Sequence, residues 1–178
     1  MFDSLGVLRT GNPRQQLAYE NIIKLNILKD FKDYNPTLCG TIPLNIDVEN
    51  SDLDIIMEAY HLNAFKEKII RRYGHLSKFR ITEKVIRERK VVKANFLYGG
   101  FEFELFGQPQ PVCEQNAYLH MVIENALLKV DSSMRQKVRD LKRKGYKTEP
   151  AFCKLLNIPG DPYDEFIQFA KKEGLLLD

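Results

Sequence analysis

The residues best suited to chemistry in this 178-residue chain are Asp52 and Asp54, within the run Asp52-Leu53-Asp54-Ile55, and the Gly40-Thr41 pair ten residues before it. Two acids one residue apart, separated and followed by apolar residues, read as a strand. Its alternation sends Leu53 and Ile55 inward and stands both carboxylates on one face. Like charges held that close repel, and a cation between them relieves the repulsion. Carboxylate oxygens favour a hard ion, so Mg²⁺ (or Mn²⁺) is the expected metal. A third acid is expected from a neighbouring strand. Glu102 and Glu104 alternate with Phe101, Phe103 and Leu105 and supply it, with Glu104 favoured because it lies nearer the middle of its strand. Three such carboxylates can hold one or two divalent ions, orient a triphosphate and take a proton from an attacking hydroxyl.

Gly40 and Thr41 fit a different task. A glycine turn lets backbone amides approach phosphate oxygens, and the Thr41 hydroxyl adds a donor. No Walker-type loop, dinucleotide glycine fingerprint or nucleophile elbow competes for that role. Gln115 and Tyr118, three apart on one helical face, are candidates to contact a base or ribose. His120 reads as structural, and Asp47 and Glu49 as solvated. The basic stretch from Arg135 to Lys147 reads mainly as a solvated helix face, with one or two cations able to reach a triphosphate or an RNA end. It lacks the aromatic interleaving of a dedicated nucleic-acid surface.

The elements that must position these groups follow from the local pattern. Asn12-Pro13 opens a helix reaching to about Phe31, and Thr37 to Thr41 is a short strand ending in a glycine turn. A loop spans Pro43 to Ser51, a strand Asp52 to Glu58, and a helix Asn63 to Tyr73 closed by Gly74. Phe79, Ile81 and Val91 to Tyr98 read as strands, with Gly99-Gly100 turning into the strand that starts at Phe101. Helices are expected over Gln115–Lys129 and Ser132–Lys144, with further starts at Thr148 and Asp161. The expected fold is α/β (α+β in stricter usage): a small mixed sheet flanked by helices. It divides into a catalytic core over 1–107 and a helical region over 108–178, with the cleft between the acidic sheet face and the later helices. The apolar share of 44% supports a packed core, and the net charge of +3 permits an anionic ligand without demanding nucleic acid. Three scattered cysteines fit neither a disulfide framework nor a zinc site. With no signal peptide and no membrane-length apolar run, they lead to a soluble, cytoplasmic expectation.

Gly40-Thr41, the ten-residue gap and Asp52-Leu53-Asp54-Ile55 resemble the signature of the nucleotidyltransferase superfamily with the DNA polymerase beta-like fold. The wider run from Phe101 through Phe106-Gly107-Gln108 to Gln115-Asn116-Ala117-Tyr118 and His120, then Lys147-Thr148-Glu149-Pro150, is similar to an uncharacterised bacterial family of nucleotidyltransferase-like proteins. The resemblance implies transfer of a nucleoside monophosphate from a nucleoside triphosphate to a hydroxyl, with Mg²⁺. It implies that Gly40 and Thr41 hold the triphosphate, Asp52 and Asp54 the metals, and Glu104 or Glu102 acts as third acid. Thr41 departs from the usual Gly or Ser, and Glu from the commoner Asp as third acid. The acceptor it leaves open is a small molecule such as an aminoglycoside, a protein hydroxyl or an RNA end. The alternatives are a non-catalytic nucleotide-binding or regulatory module, or a toxin–antitoxin component, with the same fold.

Overall fold

A computed structural model describes residues 3–176. Five strands form one mixed sheet: β1 (Thr37–Cys39), β2 (Leu53–Glu58), β3 (Ser77–Ile86), β4 (Arg89–Tyr98) and β5 (Phe101–Gln108), in the order β1-β2-β5-β4-β3. β2 and β5 run parallel, and every other pairing is antiparallel. A parallel pair needs a crossover, and here it carries α4 (Leu62–Tyr73) and the β3–β4 hairpin.

One sheet face is apolar over its central strands. Leu53, Ile55, Phe96, Phe103 and Leu105 meet Ile22 of α2 (Pro13–Lys24) and Phe65 and Ile69 of α4. Phe96 and Phe103 stack at 5.3 Å and Tyr73 continues the stack at 5.2 Å from Phe96. Phe65 packs so close over β5 that a Cβ on Gly107 would lie 2.2 Å from its ring. The opposite face is divided. Ile56 and Phe106 reach a second core built from the C-terminal helices α5 (Asn116–Val130), α6 (Met134–Arg143), α7 (Thr148–Leu156) and α8 (Pro162–Lys172). Asp54 and Glu104, two residues earlier on the same strand faces, stop short of that core and border a cleft.

The N-terminal region differs from its expected form. A helix α1 (Ser4–Thr10) precedes α2. The Asn12 cap is present, reinforced by the Asn12 backbone N–H donating to the Gln15 side-chain oxygen, but the helix ends at Lys24. Asn26 adopts a left-handed conformation, and the short α3 (Ile27–Asp30) follows. The start of α2 braces the loop that leads into β2. Gln15 donates to the Ile42 carbonyl at 2.9 Å, Asn12 to Asn45 at 3.1 Å, and Arg14 pairs with Asp47 at 2.9 Å. Asp47 is therefore pinned rather than solvated, whereas Glu49 is exposed.

Candidate active site

Register assembles the acids. In the parallel β2–β5 pair Asp54 lies opposite Glu104, and across β1 it lies opposite Cys39. Asp52 stands one step before the strand on the same side. Asp52, Asp54 and Glu104 each bring a carboxylate oxygen to within 4.8 Å of the others. Gly40 closes this corner at φ +79°, and a Cβ there would come 2.2 Å from the Asp54 carboxylate. The glycine is thus required both by its left-handed backbone and by the close approach of that acid. Thr41 follows, with its hydroxyl 3.4 Å from that of Ser51.

The electrostatics match three crowded acids. Burial pushes the Asp54 carboxyl up to about 8, helped by the charges of Asp52 and Glu104, while Lys93 and Lys142 oppose the shift. Asp52 is raised too, again chiefly by burial, with Glu104 and Glu102 adding to it. Lys93 pairs with Glu104, which also accepts from Asn95 at 3.4 Å. Glu102, two residues earlier on the same face, pairs with Arg80 instead.

The floor formed by these acids faces a cleft of about 600 Å³. Its far wall is one face of α5, where Ala117, His120, Met121 and Glu124 follow helical spacing. His120 is held on both ring nitrogens: Nε2 lies 2.9 Å from the Tyr163 carbonyl and Nδ1 lies 3.0 Å from the Glu149 carboxylate. That pairing outweighs the burial of Glu149 and holds its carboxyl below the usual carboxylate value. Lys142 enters from α6, between the floor and the wall. Burial lowers its pKa, opposed by the charges of Glu124, Asp47, Asp52 and Glu149. Arg87 and Arg89, at the tip of the β3–β4 hairpin, line the rim.

The profile of a family described as a domain of unknown function, DUF4269, matches residues 20–169. The chain belongs to the DUF4269 family. Among solved structures, this DUF4269 member is similar to a cytoplasmic RNA terminal U-transferase, with a TM-score of 0.51 and 14% identity over 78% of this chain and 42% of that one. The Cid1 poly(U) polymerase gives 0.52 and 12% identity over 79% and 45%. The polymerase core of TRAMP, an RNA surveillance complex, gives 0.53 and 9% identity over 88% and 49%. The fold is therefore that of the polymerase beta-like nucleotidyltransferases, and the chain spans less than half the length of these neighbours. A comparison with curated protein sequences finds no match.

The other sequence candidates take varied places in this DUF4269 fold. Gln115 lines the cleft but spends its amide protons on the carbonyls of Met57 (3.1 Å) and Gln110 (2.9 Å). Tyr118 points toward the C-terminal core and packs there. Lys142 is the member of the basic stretch that reaches the cleft from within α6, while Arg139 donates to the Asn45 carbonyl at 2.7 Å. Glu124 and Glu149 are cleft acids to which the sequence pattern assigns no role; for Glu124 the signal is its phase with Ala117 and Met121, which puts a carboxylate on the inward face of α5. Among the described residues no helix is long and apolar enough to cross a membrane.

Proposed function

We propose that this protein is a metal-dependent nucleotidyltransferase. The observation that carries the reading is the convergence of Asp52, Asp54 and Glu104 beside the Gly40 turn, at a cleft in a nucleotidyltransferase fold. Asp52, Asp54 and Glu104 would hold Mg²⁺ (or Mn²⁺). The donor set suits it: three carboxylates and no sulfur or imidazole, the preference of a hard cation. An ion held by these three carboxylates would supply charge neutralisation for the triphosphate and polarisation of the reacting phosphoryl group. Gly40 and Thr41 take the phosphate chain with backbone amides and a hydroxyl, and Lys142 attracts it from the opposite side. Glu104 is assigned as the third acid because it faces Asp54 in register and brings a carboxylate oxygen within 4.8 Å of those of Asp52 and Asp54, whereas Glu102 lies outside that group.

In the transfer, the acceptor oxygen bonds to the α-phosphorus as the bond to the pyrophosphate oxygen breaks. The hydroxyl proton passes to Glu104, and pyrophosphate leaves. Gln115 fixes the start of α5 against β2 and so positions the wall. Tyr118 does the same from the core side.

Isothermal titration of nucleoside triphosphates with and without Mg²⁺ tests binding, and pyrophosphate release with an acceptor panel tests turnover. The panel includes amino sugars, a protein hydroxyl and an RNA 3′ end, the last because the solved neighbours include an RNA terminal U-transferase. Loss of both binding and release in Asp52→Asn and Asp54→Asn supports the enzyme. Binding without release, unaffected by Asp52→Asn, identifies a nucleotide-binding module instead.

A further inference from the structure

The wall of the cleft holds a carboxyl that the transfer chemistry does not use. Glu124 lies on the inward face of α5 and is 3% exposed, and its remaining surface belongs to the cleft. Its neighbour His120, one turn earlier, is satisfied on both nitrogens by Tyr163 and Glu149. Glu124 has no such arrangement, making neither a hydrogen bond nor an ion pair among the described residues. The cation that bears on it, Lys142, is shared with Asp47, Asp52 and Glu149. Burial and the Glu149 charge raise the Glu124 carboxyl well above its ordinary value, the behaviour of an acid lacking a partner.

We propose that Glu124 is the docking point for a protonated amine on the acceptor, so that the acceptor class is a small hydroxyl compound carrying a cationic amino group. This rests on the nucleotidyl-transfer reading and deepens it. A charged amine supplies the N–H donors that a buried carboxylate lacks, and the hydroxyl of the same molecule would face the floor across the cleft. A neutral acceptor leaves the carboxyl unpaired, and an anionic one meets like charge from Glu124 and Glu149.

The test uses the full chain without nucleotide or metal, at a pH where a sugar amine is protonated. Glucosamine and N-acetylglucosamine carry the same ring hydroxyls and differ in charge. Glucosamine is expected to bind, with amide NMR shifts gathered at Met121, Glu124 and Glu149, and the N-acetyl sugar to bind about tenfold more weakly or worse. Glu124→Gln is expected to remove that difference, and Glu124→Asp to keep it. Equal binding of the two sugars, binding of neither, or shifts gathered elsewhere in the wild-type protein overturns the proposal. Should Glu124→Gln fail to fold, the wild-type shift map still decides. Failure of the underlying reading is recognised separately, by wild-type protein that does not bind Mg²⁺–ATP.

Discussion

The floor and the wall of the cleft both carry buried acids, yet they handle them in opposite ways. On the wall, Glu149 faces His120 at 3.0 Å, and His120 is anchored in turn by the Tyr163 carbonyl. That chain of contacts makes the charge an asset to the fold, and the Glu149 carboxyl is accordingly lowered. On the floor, Asp52, Asp54 and Glu104 crowd one another with Lys93 beside them, and Asp54 is raised to about 8. Around Glu149 the wall balances its own charge, whereas the floor keeps three crowded acids whose balance the proposed metal would supply. Satisfied charge marks scaffolding here, and unsatisfied charge marks the place where something binds.

The largest effect expected is the loss of activity in Asp54→Asn. Removing a proposed metal ligand should cut Mg²⁺-dependent pyrophosphate release by about a thousandfold or more, or about 4 kcal/mol of barrier. Thermal melting without metal at neutral pH should show the reverse sign, with Asp54→Asn more stable than wild type because folding no longer has to bury an ionisable carboxyl and take up a proton there. On the wall the same kind of change should be harmful. Glu149→Gln, followed by denaturant unfolding, should cost about 1–3 kcal/mol through loss of the charged partner of His120. If both substitutions move stability in the same direction, the contrast between the regions fails.

The pH response sharpens the contrast. Asp54 has a folded pKa above its unfolded value of 3.8, so between there and about 8 the folded state holds a proton that the unfolded state has lost. Its contribution to metal-free stability therefore falls as pH rises through that window. Glu149 works the other way, with its stabilisation present above the ordinary glutamate value and lost as pH falls through its lowered folded value. Melting temperatures with and without Mg²⁺ across this range should diverge most at the alkaline end, where the floor acids are ionised. The smallest effect expected is that of Glu102→Gln. Its pair with Arg80 is exposed, so stability should change by no more than about 1 kcal/mol and turnover little, whereas Glu104→Gln should impair turnover severely.

Much of the floor was legible because strand alternation is a strict code. Once Leu53 and Ile55 are placed in the core, Asp52 and Asp54 have no choice of side, and Phe103 and Leu105 do the same for Glu104. Choosing between Glu102 and Glu104 needed the register of β2 against β5, which no local pattern reveals. The β3–β4 hairpin was harder. It turns at Arg87-Glu88, both at positive φ, where Gly, Asn or Asp is the usual signal. The break after α2 was similarly masked, since Leu25 and Leu28 continue the helical phase through the left-handed Asn26. The wall was least legible. His120 and Glu149 are 29 positions apart, and their meeting depends on how α7 packs against α5.

The parallel pairing of β2 with β5 has a consequence for assembly. Between Asp54 and Glu104 the chain must lay down α4, β3 and β4 before β5 can dock beside β2, so the acids meet through a non-local contact that closes slowly. A partly folded chain that has not seated β5 has no trio of carboxylates. A divalent ion would consequently recognise the finished sheet and ignore its precursors, shifting the folding equilibrium toward the native state by mass action. Refolding followed with and without Mg²⁺ would show the ion acting late, slowing unfolding more than it speeds folding.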